Sequence, residues 1–368
     1  MLSRNVSSAD KLANELELII KSGIYLNGPH KEKFEQRFAD YLGRGVEVVG
    51  VANATDAIEI LLRSLGIGAG DEVIMPAHTA LATAAGVLMA GATPVLVDIN
   101  PQDYCISVDK ASEAISSRTR AIIGVHLYGH PFAAEAFTEL CSINNIYLLE
   151  DCSQSHGARL GSKMTGTLGH AAVFSFYPTK NLGGICDAGA IVTVDSELAK
   201  SLRQVAQYGW NSGRLAKRVA GRNSRMSDIA ACVLNRNIGY LEEDNAQRIR
   251  RARFLSAELQ SQPQLTVPTF SDLYRHVFHQ YVIRYNARDE LKRDLESAGF
   301  RVGIHYSELI HQHPAYANSV KISGSLENSE KIVTEILSLP ITPDIDMEEL
   351  RALVARIKSF VCNTTASI

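Results

Sequence analysis

Short apolar runs alternate along this chain with longer stretches in which apolar residues recur at helical spacing. The runs Val46 to Val51, Val73 to Met75, Pro94 to Asp98, Ala121 to Val125, Ile146 to Glu150, Ala171 to Phe176 and Ala190 to Val194 read as strands buried on both faces. Most are separated by segments long enough for a helix, which is the pattern of an α/β domain built on a mostly parallel sheet. The stretch from Val73 to Val97 has no Asp, Glu, Lys or Arg. Pro76 and Pro94 stand near its ends, and Ala, Gly and Thr dominate its middle, so it divides into strand, helix and strand rather than spanning a membrane. The N-terminal segment reads as an amphipathic helix and lacks the uninterrupted apolar core of a signal peptide.

Past Leu241 the texture changes. A charged helix LEEDNAQRIRRARFLSAELQ leads to the run FHQYVIRY, the helix RDELKRDLESAGF and a last helix from about Met347. This predicts a large α/β domain over residues 1–240 and a smaller α+β domain over 241–368, packed together because no low-complexity linker separates them.

Composition narrows the class without naming it. Among 368 residues, 37 Lys and Arg face 40 Asp and Glu, a formal charge of −3, so no global basic field draws the chain to nucleic acid or anionic lipid. The content of 46% hydrophobic residues excludes a disordered chain. Six scattered cysteines form no C-x-x-C pair, which favours reduced thiols in a cytoplasmic setting over disulfides or zinc. The glycines of GIGAGDEVI precede a strand instead of following one, so they are no dinucleotide fingerprint. The histidines of HYSELIHQH have no carboxylate or cysteine at a ligand spacing, and no metal is expected.

Two segments carry chemistry. In EDCSQSHGA, Asp151 ends an apolar run, where α/β folds place ligands. In FSFYPTKNLGGICDAGA, Ser175 and Lys180 follow another run and a glycine-rich turn comes next. An amine, an acid and phosphate donors together are what a pyridoxal phosphate enzyme requires.

These segments, with VANATDAIEILLRSLGIGAGDEVIMPAHTALAT, GATPVLVDI, GRNSRMSDIAA, HQYVIRY and GIHYSELIHQHPAY, resemble the DegT/DnrJ/EryC1/StrS sugar aminotransferases in order and spacing over nearly the whole chain. The resemblance implies the fold type I architecture of pyridoxal 5′-phosphate enzymes. It also implies amino transfer from L-glutamate, released as 2-oxoglutarate, to a nucleotide-linked keto-sugar. The wording SFYPTKNLGG, QYGW and GRNSRM is most similar to the branch acting on dTDP-linked 3-keto-6-deoxyhexoses. A UDP-linked N-acetylated 3-keto sugar or a 4-keto sugar nucleotide is the alternative. A dehydratase on the same scaffold is disfavoured by Lys180, whose position resembles a histidine in those enzymes; a non-catalytic regulatory member is disfavoured by Lys180, Asp151 and Ser175 together.

Carried over residue by residue, the resemblance makes Lys180 the cofactor-binding lysine and Asp151 the partner of the pyridine nitrogen. Gln154 matches the glutamine near the cofactor hydroxyl, with a surface helix position as the competing reading. Ala54 and Thr55, with Asn53, match the phosphate turn before a helix, to which Ser175 adds a hydroxyl. Asn223 matches an asparagine that reaches the phosphate from the other subunit of a homodimer, against the plain alternative of a turn residue. His305 and Tyr306 lie in the loop that faces the sugar, or else in the core. Arg225 belongs to a basic set with Arg214, Lys217, Arg218 and Arg222 suited to a diphosphate. The later Arg248, Arg250, Arg251 and Arg253 fit a structural helix better. Two positions depart from the family: Ala54 stands where glycine is usual, so the turn must avoid a left-handed conformation there. Ala80 stands where an aromatic residue often covers the cofactor ring, which leaves His78 or the Asp151 to His156 segment to do so.

Overall fold

All seven predicted runs enter one sheet. The computed structural model describes residues 9–219 and 221–365. The strands in chain order are β1 (Glu47–Val51), β2 (Glu72–Pro76), β3 (Thr93–Val97), β4 (Thr119–Val125), β5 (Tyr147–Asp151), β6 (Arg159–Leu160), β7 (Lys163–Met164), β8 (Ala171–Ser175), β9 (Gly189–Thr193), β10 (Tyr274–Arg275), β11 (Tyr281–Arg284), β12 (Lys321–Ile322) and β13 (Ile336–Leu339). The large sheet runs β1-β9-β8-β5-β4-β2-β3-β12. Only β9 opposes the others in it, pairing antiparallel with both β1 and β8. The edge strand β12 comes from the C-terminal part of the chain and pairs parallel with β3.

Alternation along the strands explains why both faces are covered. Val73 and Met75 of β2 and Ala171 and Val173 of β8 belong to one core, beneath the helices Ala54–Ser64, Leu81–Met89 and Ser196–Val205. Ala172 and Phe174 of β8 turn the other way, onto Phe34 and Phe38 of the helix Pro29–Leu42. On that same side Ile74, Ile122 and Leu148 meet Phe132 and Phe137. With side chains pointing to opposite faces at each step, such strands need apolar residues at every position. A further core gathers residues between Ala252 and Val361, built on the helix Leu241–Leu259, the β11–β13 pair and the helix Met347–Thr365.

The arginine run of the helix Leu241–Leu259 serves that core, as its charge pattern implied. Arg248 is buried and donates to the carbonyls of Phe278 and Ile341, and Arg251 donates to Ile345 O. The N-terminal amphipathic helix is present as Ala9–Ser22, with Leu12 and Ile19 inward; residues 1–8 lie outside the described residues. Among the described residues no helix is long and apolar enough to cross a membrane.

One buried carboxylate fixes the floor beneath the strand ends. Glu150, 1% exposed, accepts the amides of Leu168 (2.7 Å) and Gly169 (2.9 Å) at Oε1 and of Gly166 (2.8 Å) at Oε2. His126 Nδ1 accepts the Phe132 amide, so its Nε2 carries the hydrogen directed at Glu150 Oε2, 2.9 Å away. Glutamine here must aim its NH₂ group at a donor. Replacing Glu150 by Gln is expected to lower the unfolding free energy by about 3 kcal/mol in urea melts; an unchanged midpoint and slope would contradict this account of the loop 166–169.

Candidate active site

Parallel strands bring their carboxyl ends to one edge, and the ladder registers specify which residues meet there. Val125 is level with Asp151, and Asp151 with Val173, which sets Ser175 one pleat further out on β8. Because β9 is reversed, its first residue lies at this same edge: Gly189 pairs with Ser175 on one side and with Val51 on the other. Two residues after Val51, Asn53 caps the helix Ala54–Ser64, its side chain accepting the Asp56 amide at 2.8 Å. A Cβ on Gly189 would stand 2.5 Å from the carbonyl carbon of Asn53 and 2.8 Å from the Ala54 nitrogen. Glycine is therefore what lets this strand end press against the helix start.

Ala54 is the first residue of that helix and is absent from the residues with positive φ, so the substitution of the usual glycine costs no strain. Helix geometry leaves the amides of Ala54 and Thr55 without intrahelical acceptors. They point out of the helix N-terminus beside Ser175, a ready seat for an anion.

Asp151, 5% exposed, accepts the Thr83 hydroxyl at Oδ2 (2.9 Å) and the Ser153 amide at Oδ1 (3.1 Å). Lys180 ends a turn closed by its own amide on Tyr177 O. Burial pushes its ammonium below the usual lysine range, and the Asp151 charge offsets part of that shift. Around it stand imidazoles that burial keeps neutral. His156 is held at about 3 by burial and then by the Lys180 charge; His279 and His305 are lowered by the same two causes in the same order. The next residue, Asn181, is tied to Asn245 (2.9 Å), Val277 O (3.1 Å) and His279 Nδ1 (3.1 Å), so the lysine springs from an anchored turn.

Gln154 is buried and bonded at both ends of its amide. Its Oε1 accepts the Tyr128 amide (2.7 Å) and its Nε2 donates to the Tyr306 hydroxyl (3.2 Å). Burial first, and then the Asp151 charge, pushes the Tyr306 phenol up to about 12, so it stays protonated at neutral pH and keeps its own hydrogen to donate. His305 bonds Ser338 Oγ through Nδ1 (2.9 Å), while its carbonyl accepts the Tyr128 hydroxyl. His78 is fully buried and lowered to about 4 by burial. Its Nε2 accepts the Tyr306 amide at 3.1 Å, which places the hydrogen on Nδ1; that nitrogen has no partner among the described residues.

Lys180, Asp151, Gln154, Ser175, Ala54, Thr55, His305 and Tyr306 thus converge on one edge of the sheet. Asn223 and Arg225 do not. Asn223 is exposed and accepts from Arg225 Nη2 at 2.6 Å, and the Arg225 guanidinium lies 5.9 Å from the Tyr208 ring centre. Arg225 and Arg214 line a separate basic hollow of about 590 Å³ with Lys200, Arg203 and Trp210. Arg222 turns the opposite way, onto acids of the helix Ala54–Ser64. Sequence reasoning missed Thr83, Asn181, His279 and Tyr128. Thr83 sits in a run of small residues whose spacing marks a buried helix and nothing more.

Known proteins share this architecture. Residues 7–358 match the model of the DegT/DnrJ/EryC1/StrS aminotransferase family. The erythromycin biosynthesis sensory transduction protein EryC1 of Saccharopolyspora erythraea is 38% identical, over 93% of each chain. The dTDP-3-amino-3,4,6-trideoxy-α-D-glucose transaminase of Streptomyces venezuelae is 37% identical over 93% of this chain and 90% of its own. The crystal structure of S. venezuelae DesV superposes with a TM-score of 0.93 at 35% identity, covering 98% of this chain and 96% of that one. The fold is that of the type I pyridoxal phosphate aminotransferases, and the chain belongs to the DegT/DnrJ/EryC1/StrS aminotransferase family.

Proposed function

We propose that this protein moves an amino group from L-glutamate to a nucleotide-linked keto-sugar, with pyridoxal 5′-phosphate bound through Lys180. The observation that carries the reading is that half-buried Lys180 stands at the carboxyl edge of the sheet within the field of the buried Asp151, among imidazoles kept neutral by burial. The residues fit the cofactor. An amine with a lowered proton affinity, an acid held by two neutral donors, and a helix start that only Gly189 allows to approach Ser175 are the groups its carbonyl, ring nitrogen and phosphate require. The buried Nδ1 of His78, without a partner among the described residues, fits the role of covering the ring in place of an aromatic residue at position 80.

Bound there, pyridoxal phosphate supplies an electron sink through which an amino group passes between two carbonyl carbons. Asp151 supplies the fixed negative charge that holds a proton on the ring nitrogen. Lys180 would hold the cofactor, and its Nζ would take and return the proton. Burial aids this, because an amine below the usual lysine range is more often uncharged at neutral pH. Thr55, Ala54 and Ser175 would hold the phosphate. Gln154 and Tyr306, linked to each other, offer the hydrogen bonds that orient ring and sugar, and Tyr128 ties both of their segments down, one through its amide and the other through its hydroxyl.

The S. venezuelae relative, a dTDP-3-amino-sugar transaminase, supports a dTDP-linked 3-keto-6-deoxyhexose as acceptor. The outward direction of Asn223 supports a homodimer in which this residue and the basic set of residues 214–225 serve the other subunit's site. We read residues 1–240 as the cofactor-binding part and 241–368 as the smaller part that brings His305 and Tyr306 to it.

Incubating the protein with glutamate and a panel of dTDP- and UDP-linked 3-keto and 4-keto sugars, read by product mass and stereochemistry, is expected to give a dTDP-linked 3-amino product. Lys180→Ala is expected to lower turnover by at least about 10⁴-fold. A Lys180→Ala enzyme with ordinary steady-state activity contradicts the assignment, and no glutamate-dependent conversion of any sugar favours a non-catalytic role.

Shared sites predict complementation. Asn223→Ala and Lys180→Ala chains, each impaired alone, are expected to recover roughly a quarter of wild-type activity when dissociated and remixed, since a hybrid then holds one intact site. Activity no greater than the average of the two separate variants would place Asn223 in its own subunit's site or outside the site.

A further inference from the structure

The helix that offers its first amides to an anion also carries two acids at the same end. Asp56 is 8% exposed and Glu59 1% exposed, both within the first two turns of the helix Ala54–Ser64. A carboxylate in the first turn competes with any other anion for the free amides and the positive end of the helix dipole. The two acids also oppose each other: burial pushes the Glu59 carboxyl up, Arg222 and then Arg63 pull it down, and Asp56 raises it again.

Arg222 holds both. Its Nη2 donates to Asp56 Oδ1 at 2.9 Å and its Nη1 lies 3.2 Å from Glu59 Oε2, while Arg63 Nε lies 2.9 Å from Glu59 Oε1. The segment that carries Arg222 is clasped to the same helix start, because Ser224 Oγ accepts the Ala52 amide at 3.1 Å. Alternation along the extended stretch directs Arg222 and Ser224 inward and Asn223 and Arg225 outward. Two acids and two guanidiniums balance. Without Arg222 the helix start carries an excess negative charge.

We propose that Arg222 is a positioning residue for the cofactor phosphate: it draws Asp56 and Glu59 aside and cancels their charge, which leaves the amides of Ala54 and Thr55 free for the dianion. The proposal rests on the reading that a phosphate occupies this helix start. Arg222 touches neither Lys180 nor Asp151 in this account, so its effect is confined to the phosphate.

Pyridoxal phosphate and pyridoxal differ only in that phosphate, and both can be titrated by the visible band of the lysine-bound cofactor. Arg222→Gln is expected to weaken pyridoxal phosphate about tenfold at low ionic strength and to leave pyridoxal within about twofold. Adding Asp56→Asn and Glu59→Gln to it is expected to restore the phosphate form to within about threefold of wild type. Equal weakening of both ligands, an unchanged pyridoxal phosphate Kd, or no recovery in the triple variant would overturn the proposal. If Arg222→Gln does not fold, Asp56→Asn/Glu59→Gln with Arg222 intact serves instead: it is expected to tighten pyridoxal phosphate but not pyridoxal, and weakening would count against the proposal. Wild-type protein that forms no band with pyridoxal phosphate removes the functional reading, and this inference with it.

Discussion

The active edge depends on setting a half-buried amine within the field of a buried carboxylate. Lys180 loses proton affinity through burial, Asp151 returns part of it, and the balance leaves an amine that is neither an ordinary surface lysine nor a locked ion pair. That balance would fail if further cations entered. The imidazoles of His78, His156, His279 and His305 all lie in settings that disfavour their charged forms, by burial before any other cause. Polar groups near the pair are instead neutral donors: a threonine hydroxyl, a backbone amide, a glutamine and a protonated tyrosine.

The sheet delivers these groups because one strand runs backwards. Had β9 followed the direction of its neighbours, its carboxyl end would reach this edge and the chain would enter it from the far side. Reversed, it starts at Gly189, between Ser175 and Val51, and a missing side chain at that one position lets the helix start meet the hydroxyl. Glu150, the residue before Asp151, faces the other way and binds the backbone that leads into β8. Adjacent residues on β5 thus serve the site and its support, as the two-residue period of a strand requires.

Much of this was legible in the sequence. The apolar runs marked seven strands of the sheet to within a residue or two, and Asp151, Ser175 and Lys180 lie at the carboxyl edge where their position after those runs put them. What the chain concealed is partnership over long separations. Nothing in LATAAGVLM announces that Thr83 bonds Asp151, nor in GRNSRM that Arg222 grips a helix 166 residues earlier. The two exposed residues of β12 form no apolar run, so their addition to the large sheet left no pattern to read. By sequence Arg222 belongs with bases suited to a diphosphate; the buried acids it meets redirect it. The later arginines fit a structural helix by their charge pattern, and Arg248 and Arg251 bind backbone carbonyls of the C-terminal core.

The attachment point of the cofactor is the claim on which the rest turns. Reducing the pyridoxal phosphate-loaded protein with borohydride, digesting it and locating the modified peptide by mass would test it most directly. The account predicts one pyridoxyl group per chain, on Lys180 in the peptide spanning SFYPTKNLGG. A label on another lysine, or a loaded protein that borohydride leaves unmodified, would contradict it.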